Sequence, residues 1–282
     1  MTVVELRLGP RPDEPGPPIG QGPQSYPAEV TQRLAGDGAQ VIARYPEARS
    51  ALLPLLHLVQ AEDGYLTPAG IAFCAAQLRL SPAEVTAVAT FYSMYRRTPT
   101  GEFLVGVCTN TLCAVMGGDA IREDLEEHLD VHAGQTTSDG KVTLEHIECN
   151  AACDYAPVMM VNWEFFDNQT PSSARNLVDD LRAGQTVTPT RGAPLCSFRE
   201  TARILAGFGD QRPGANDGAT AGEATLAGLR VARERGMSAP RAAAPGSAAK
   251  GPDDELIAKE TIRDEPAPGP SADLPPKNGA TP

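Results

Sequence analysis

The spacing of apolar residues changes period once along the chain, near residue 100. Upstream the pattern is helical. A short apolar spacing from Pro27 to Ala35 predicts one helix, and the run from Pro46 to Glu62 predicts a second, with Pro54 bending it or splitting off its first turn. Gly64 ends that helix. Thr67 followed by Pro68 supplies a cap and a first-turn proline ahead of Ile71 to Leu78, and Ser81-Pro82-Ala83-Glu84 repeats the start signal before Val85 to Tyr95. These segments predict a compact helical region ending near Arg97.

Downstream the period shortens. Phe103 to Val107 reads as a buried strand, Cys113 to Asp130 contains a helical stretch, and Val142 to Ile147 alternates as a second strand after the turn Ser138-Asp139-Gly140. Val158 to Trp163 predicts a third strand, Glu164 to Phe166 a hairpin partner, and Pro171 to Ala183 a closing helix stopped by Gly184. The fold class is α/β (α+β), an N-terminal helical bundle followed by a small α/β domain. The divisions are 1–25 as a Pro- and Gly-rich disordered arm, 26–98 as the helical region, 99–185 as the α/β domain, and 186–282 as an extended, mostly disordered tail. Beyond residue 210 there are ten prolines and no aromatic residue, too little apolar surface to offset the entropy of ordering. A short helix is expected there only around Ala221 to Arg235.

Composition narrows the function. The formal net charge of -12 argues against nucleic-acid binding, which needs a basic surface. Residues 211–282 carry nine Lys or Arg against ten Asp or Glu, so nearly all the excess negative charge falls in residues 1–210, suiting either a basic protein partner or simple solubility. No run of about 18 apolar residues suggests a membrane span, and the N-terminus lacks a secretory pattern, so a cytoplasmic chain is expected. In that compartment the six cysteines read as free thiols or ligands, not as a disulfide framework.

Four of them, Cys108, Cys113, Cys149 and Cys153, form a Cys-x4-Cys and a Cys-x3-Cys pair, each at a strand end. Structural zinc prefers ligand spacings of two to four residues, which puts the first pair at the limit. A thioredoxin-type dithiol needs Cys-x2-Cys, which neither pair has. Four unconnected buried thiols would have no reason to cluster in loops. A [2Fe-2S] centre takes four thiolates and loops that wrap the cluster and aim N–H groups at sulfur; Thr109, Asn110, Thr111 and Asn150, Ala151, Ala152 are small enough for that. Glu148 and Asp154 flank the second pair, where their charge would make reduction of an anionic cluster harder; Glu148 reads equally as an ordinary exposed strand residue.

The segment Val107-Cys108-Thr109-Asn110-Thr111-Leu112-Cys113 with Gly117-Gly118, and the segment Glu148-Cys149-Asn150-Ala151-Ala152-Cys153-Asp154-Tyr155-Ala156-Pro157, resemble the two halves of the thioredoxin-like [2Fe-2S] ferredoxin signature. With the helical stretch Val88 to Tyr95 upstream, residues 27–183 are similar to the E-subunit family of the proton-pumping NADH:quinone oxidoreductase, respiratory complex I. The resemblance implies a thioredoxin-like ferredoxin domain over 99–185, with one thiolate to a [2Fe-2S] cluster from each of Cys108, Cys113, Cys149 and Cys153. It implies docking on a flavoprotein subunit that holds NADH and FMN, and through it on the peripheral arm at the cytoplasmic face of the inner membrane, without membrane insertion. Catalytic residues are expected on that partner, because Gly117-Gly118 lacks the dinucleotide-binding spacing. The chain departs from the family at Asn150 and Ala151, where Leu-Gly is common. Two alternatives stay open: the diaphorase subunit of an NAD-linked hydrogenase or formate dehydrogenase, and a zinc-stabilised binding module.

Other residues read more plainly. Cys74 is expected as a core thiol and Cys196 as a free thiol or tail contact. His128 and His132, four apart, suit surface positions near a helix end. Phe91, Tyr92, Met94 and Tyr95 read as an interface anchor or as packing against the ferredoxin domain, and Tyr155 as a water shield or ordinary loop packing.

Overall fold

The strand Phe103–Cys108 (β1) is an unbroken apolar run, and it occupies the centre of its sheet with five of its six residues buried. The computed structural model describes residues 18–218 and 222–238. Val142–Ile147 (β2) pairs with β1 in parallel, Met159–Val161 (β3) lies antiparallel on its other side, and Glu164–Phe166 (β4) forms a hairpin with β3, so the order is β2-β1-β3-β4. A parallel pair needs a crossover, here the helices Thr111–Val115 and Gly118–Leu129.

The hairpin turns on Asn162 and Trp163, both at positive φ (46° and 69°), the backbone of a tight primed turn. Buried Asn162 holds it: Oδ1 accepts from the Leu104 amide at 2.8 Å, while Nδ2 donates to the Glu102 and Cys196 carbonyls at 3.2 and 2.8 Å. Pro171–Arg182 begins with a Thr170–Ser173 capping box and packs with Gly118–Leu129 over one face of the sheet, where Val105, Ile121, Leu125, Leu144, Met159 and Val178 form the core.

The upstream half is helical, as the pattern predicts. In chain order the helices are α1 (Ala28–Ile42), α2 (Leu52–Asp63), α3 (Pro68–Leu78) and α4 (Pro82–Phe91); the crossover pair is α5 and α6, and Pro171–Arg182 is α7. α1 runs nearly two turns beyond its predicted end at Ala35, and its buried Gly38 and Val41 continue the inner face. Pro54 lies in the first turn of α2, where its missing N–H breaks no helical bond, and a 3₁₀ turn over Ala48–Ala51 precedes it. Thr67 caps α3 and a Ser81–Glu84 capping box starts α4. Gln60, fully buried on α2, accepts from the Arg96 amide at 2.7 Å and donates to the Met94 carbonyl at 3.1 Å, pinning the loop that leaves the helices. Arg96 then reaches the sheet through an ion pair with Glu145 of β2 at 2.6 Å.

The segment after Gly184 differs from expectation. Residues 198–205, placed in an extended tail, form a helix, α8 (Phe198–Leu205), with a Ser197–Glu200 capping box. Phe198 and Ala202 are buried, Arg199 donates to the Glu62 and Asp63 carbonyls at the end of α2, and Arg203 pairs with Asp37 of α1 at 2.8 Å. Pattern alone undervalued this amphipathic stretch, because eight residues cannot form a stable helix without a surface to pack on. A further helix, α9 (Ala227–Glu234), lies within the expected range 221–235. Of the expected N-terminal arm, residues 1–17 lie outside the described residues, and Pro23 accepts from the Ala69 amide at 3.0 Å, holding that stretch against α3.

His57 on α2 sits against the Tyr95 ring, 4.8 Å between centroids, with Nδ1 buried and without a hydrogen-bond partner. Burial lowers its pKa from 6.5 to about 4. The unfolded chain therefore takes up a proton near pH 6.5 that the folded chain refuses until about pH 4, so this residue's contribution is full above pH 6.5 and falls as the pH drops through that window, by about 3 kcal/mol in all. Urea unfolding at pH 7 and pH 4.5 should show His57→Leu losing roughly 2 kcal/mol less than the wild type between the two conditions. Equal losses would refute a neutral buried imidazole.

Candidate metal centre

Parallel pairing of β1 with β2 brings the two cysteine loops together. In register, Cys108 at the end of β1 stands opposite Ile147 at the end of β2, so Cys149 follows only two residues beyond that edge. The C-terminal edge of parallel strands is where open α/β folds place their sites. The first loop turns through Thr109 and Asn110 into α5, which carries Cys113. The second runs from Glu148 through Ala152 into a 3₁₀ turn, Cys153–Tyr155.

The four predicted thiols line one small hollow, of about 180 Å³ empty volume, with Asn150, Ala152 and Val158. Cys108 and Cys113 are buried, Cys153 is half-buried and Cys149 is exposed. Cys149 Sγ lies 3.5 Å from Cys153 Sγ, and the Ala151 amide donates to Cys149 Sγ at 3.3 Å. Burial pushes the Cys108 thiol up to about 11, and the hydrogen bond with Cys149 raises Cys153. Such thiols hold their protons at neutral pH until a metal displaces them, so loading the site releases protons.

The donor set fits a binuclear cluster, since four thiols around one hollow are what a [2Fe-2S] centre takes. Behind them Ala152, Ala156 and Val158, with Ile147, Tyr155 and Phe165, make an apolar wall.

Two residues whose roles the sequence pattern does not reveal shape this site. Asn110, expected only as a small wrapping residue, braces the loops: Nδ2 donates to Glu148 Oε2 at 2.8 Å and Oδ1 accepts from the Cys149 amide. Gly118 starts α6 where the backbone passes both first-loop cysteines; a Cβ there would collide with the Cys108 carbonyl oxygen and stand 2.9 Å from that of Cys113. The signal was the Gly117-Gly118 pair itself, for Gly117 takes φ +110° and its neighbour takes the close approach.

Ala151 sits at φ +55°. A left-handed backbone costs an L-residue about 1–2 kcal/mol, of which the extra unfolded-state freedom of Gly gives back roughly 0.5–1 kcal/mol. Ala151→Gly should therefore raise stability by up to about 1 kcal/mol in urea unfolding. A less stable variant would show that the Ala151 methyl makes a contact worth more than the strain.

The remaining candidates lie elsewhere. Cys74 is fully buried in the helical core, as expected, and burial raises its pKa strongly. Cys196 is half-buried with Sγ 3.2 Å from Thr201 Oγ1, apart from the four-thiol hollow. His128 pairs with Asp179 at 2.8 Å, and His132 lies beyond the end of α6, so the two do not share a helix face. The aromatic run divides: Tyr95 is buried and donates to the Leu53 carbonyl at 2.9 Å, whereas Phe91 is 79% exposed.

The family model for the thioredoxin-like [2Fe-2S] ferredoxin matches residues 38–182, just over half of the chain. The NADH-quinone oxidoreductase E-subunit of Mycobacterium bovis is 68% identical over 238 residues, covering 84% of this chain and 94% of that protein, and the same figures hold for Mycobacterium tuberculosis. NADH-quinone oxidoreductase subunit 2 of Thermus thermophilus is 36% identical over 149 residues, 52% of this chain and 82% of that protein. A solved chain of NAD+-reducing [NiFe]-hydrogenase aligns at TM-score 0.43 and 22% identity, covering 47% of this chain and 23% of that one. The chain belongs to the thioredoxin-like [2Fe-2S] ferredoxin family, within the branch formed by the E-subunits of NADH-quinone oxidoreductases, and its cofactor is one [2Fe-2S] cluster.

Proposed function

We propose that Cys108, Cys113, Cys149 and Cys153 each give one thiolate to the cluster, and that the chain exchanges single electrons beside the FMN of an NADH-oxidising flavoprotein subunit. The observation that carries this reading is the asymmetry of the thiol pairs, the first buried and the second open to the surface. A bound [2Fe-2S] cluster accepts and releases one electron at a time. The protein's part is to hold and shield it. β1 and α5 fix the inner pair, the Ala151 amide donates to the Cys149 sulfur, and the apolar wall keeps water from the inner side.

Around the open side the surface is apolar: Leu112, Val115 and Met116 at and just beyond α5 are 43%, 79% and 57% exposed, beside a depression that all four cysteines line. Such a rim suits a partner that seals the cluster from solvent. Glu148 and Asp154 add negative charge there, so a basic partner face is complementary. The hydride chemistry is the partner's, since this chain carries no complete active site. Among the described residues no helix is long and apolar enough to cross a membrane; on this reading the assembly sits at the cytoplasmic face of the inner membrane, reached through the flavoprotein subunit and the rest of the peripheral arm.

Anaerobic reconstitution tests the cofactor assignment. A brown protein with about two irons per chain, and an electron paramagnetic resonance signal on one-electron reduction, is the expected result. A colourless protein holding stoichiometric zinc would overturn it. Co-purification from cells should bring down the flavoprotein subunit with quinone-reducing activity; recovery of a hydrogenase or formate dehydrogenase catalytic subunit instead would assign the chain to that assembly.

A further inference from the structure

Beyond residue 182, where the family match ends, two short segments return to the second cysteine loop. Residues 190–193 lie along β4: the Thr190 amide donates to the Phe165 carbonyl at 2.9 Å, and Phe165 and Arg191 form an antiparallel bridge. Arg191 then reaches over the loop. Its guanidinium carbon is 4.4 Å from the Phe165 ring centre and 4.9 Å from that of Tyr155, and its Nε and Nη2 each donate to the Asp167 carboxylate at 2.7 Å. Asp167 is 6% and Arg191 16% exposed at the side chain, so the pair is largely withdrawn from water. Residues 222–225 close the other side. Thr225 Oγ1 donates to Asp154 Oδ2 at 2.7 Å, and the Gly222 backbone comes so near the Tyr155 hydroxyl that a Cβ would collide with it.

Tyr155 and Phe165 belong to the apolar wall behind the thiols, and Asp154 and Tyr155 directly follow Cys153. We propose that Arg191 is a positioning residue for the iron-sulfur site: stacked on Tyr155 and Phe165 and locked to Asp167, it clamps the Cys149–Tyr155 loop in its ligating shape, with Thr225 fastening the loop's far side. The inference rests on the ligand set proposed above. The physical argument is that an exposed loop with a left-handed residue at Ala151 has few constraints of its own. A bidentate, mostly buried ion pair on two rings supplies a rigid one, and contacts just outside the ligands govern how firmly a metal is retained.

The test uses the full chain with its cluster bound. Under an iron chelator, Arg191→Ala should bleach roughly tenfold faster than the wild type, with unchanged helix content by circular dichroism. Its midpoint potential should move to a more negative value, because the Asp167 carboxylate is left without its cation. Arg191→Lys keeps the charge but not the planar stack or the two-pronged pair, so it should bleach fast while its potential stays near wild type. Deleting residues 211–282 removes Gly222 and Thr225 and should accelerate bleaching to a smaller degree. Arg33→Ala, which breaks the pair with Glu62 in the helical region, serves as the control. A folded Arg191→Ala that bleaches at the wild-type rate with an unchanged potential overturns the proposal. Should that variant fail to fold, slow bleaching in both Arg191→Lys and the deletion would overturn it equally. If the wild type takes up no [2Fe-2S] cluster, the ligand assignment fails instead, a result distinct from any of these.

Discussion

Replacing Cys149 by Ser should abolish stable cluster retention while leaving the fold intact. Cys149 is exposed, so the change removes no core packing; what it removes is one of the four proposed thiolate donors, in favour of a harder oxygen that suits iron-sulfur chemistry poorly. Most of the iron and the visible absorption should be lost after gel filtration, with helix content unchanged by circular dichroism. The matched control is Cys74→Ser. That change puts a hydroxyl into a fully buried site, at a cost of about 1–3 kcal/mol in stability, yet the absorption and resonance spectra should not change. A Cys74 variant that loses iron, or a Cys149 variant that keeps it, would mean that the wrong thiols have been chosen.

Gly118→Ala should damage both stability and cluster binding, although it adds one methyl. That methyl would meet backbone, not the yielding end of a side chain: the carbonyl oxygens of Cys108 and Cys113 lie on the approach. Relief requires α6 to move away from the first ligand loop, and overpacking of this kind costs roughly 1–3 kcal/mol. Because both obstructing groups belong to proposed ligands, the shift acts on the sulfur positions as well. A lower unfolding midpoint together with an altered resonance spectrum is the expected outcome. Gly36→Ala, at a helical position with open space around it, should instead stabilise by roughly 0.4–1 kcal/mol. An unperturbed spectrum in Gly118→Ala would show that the two elements yield independently of the thiols.

Most of the architecture is legible in the chain itself. Helix starts at Thr67 and Ser81 are readable because a capping side chain acts within three residues of itself, and β1 because a strand buried on both faces has no polar positions. The four cysteines stand out by spacing, since a ligand's residue type carries its chemistry. Harder to read is α8, whose helical signal is short and whose stability comes from α2 and α1, more than a hundred residues away. The brace made by Asn110 escapes for the same reason, because its partners Glu148 and Cys149 are brought near only by strand pairing.

By itself, then, the sequence determined most of the element types, the cysteine spacing and the acidic character, all of which depend on residue identity and near-neighbour spacing. The tertiary structure alone decided that the two thiol pairs face one hollow, that one pair is buried and the other open, and that Arg191 closes over the loop from beyond the ferredoxin domain. Those facts depend on the parallel register of β1 with β2 and on chain return over long separations, which no local pattern encodes.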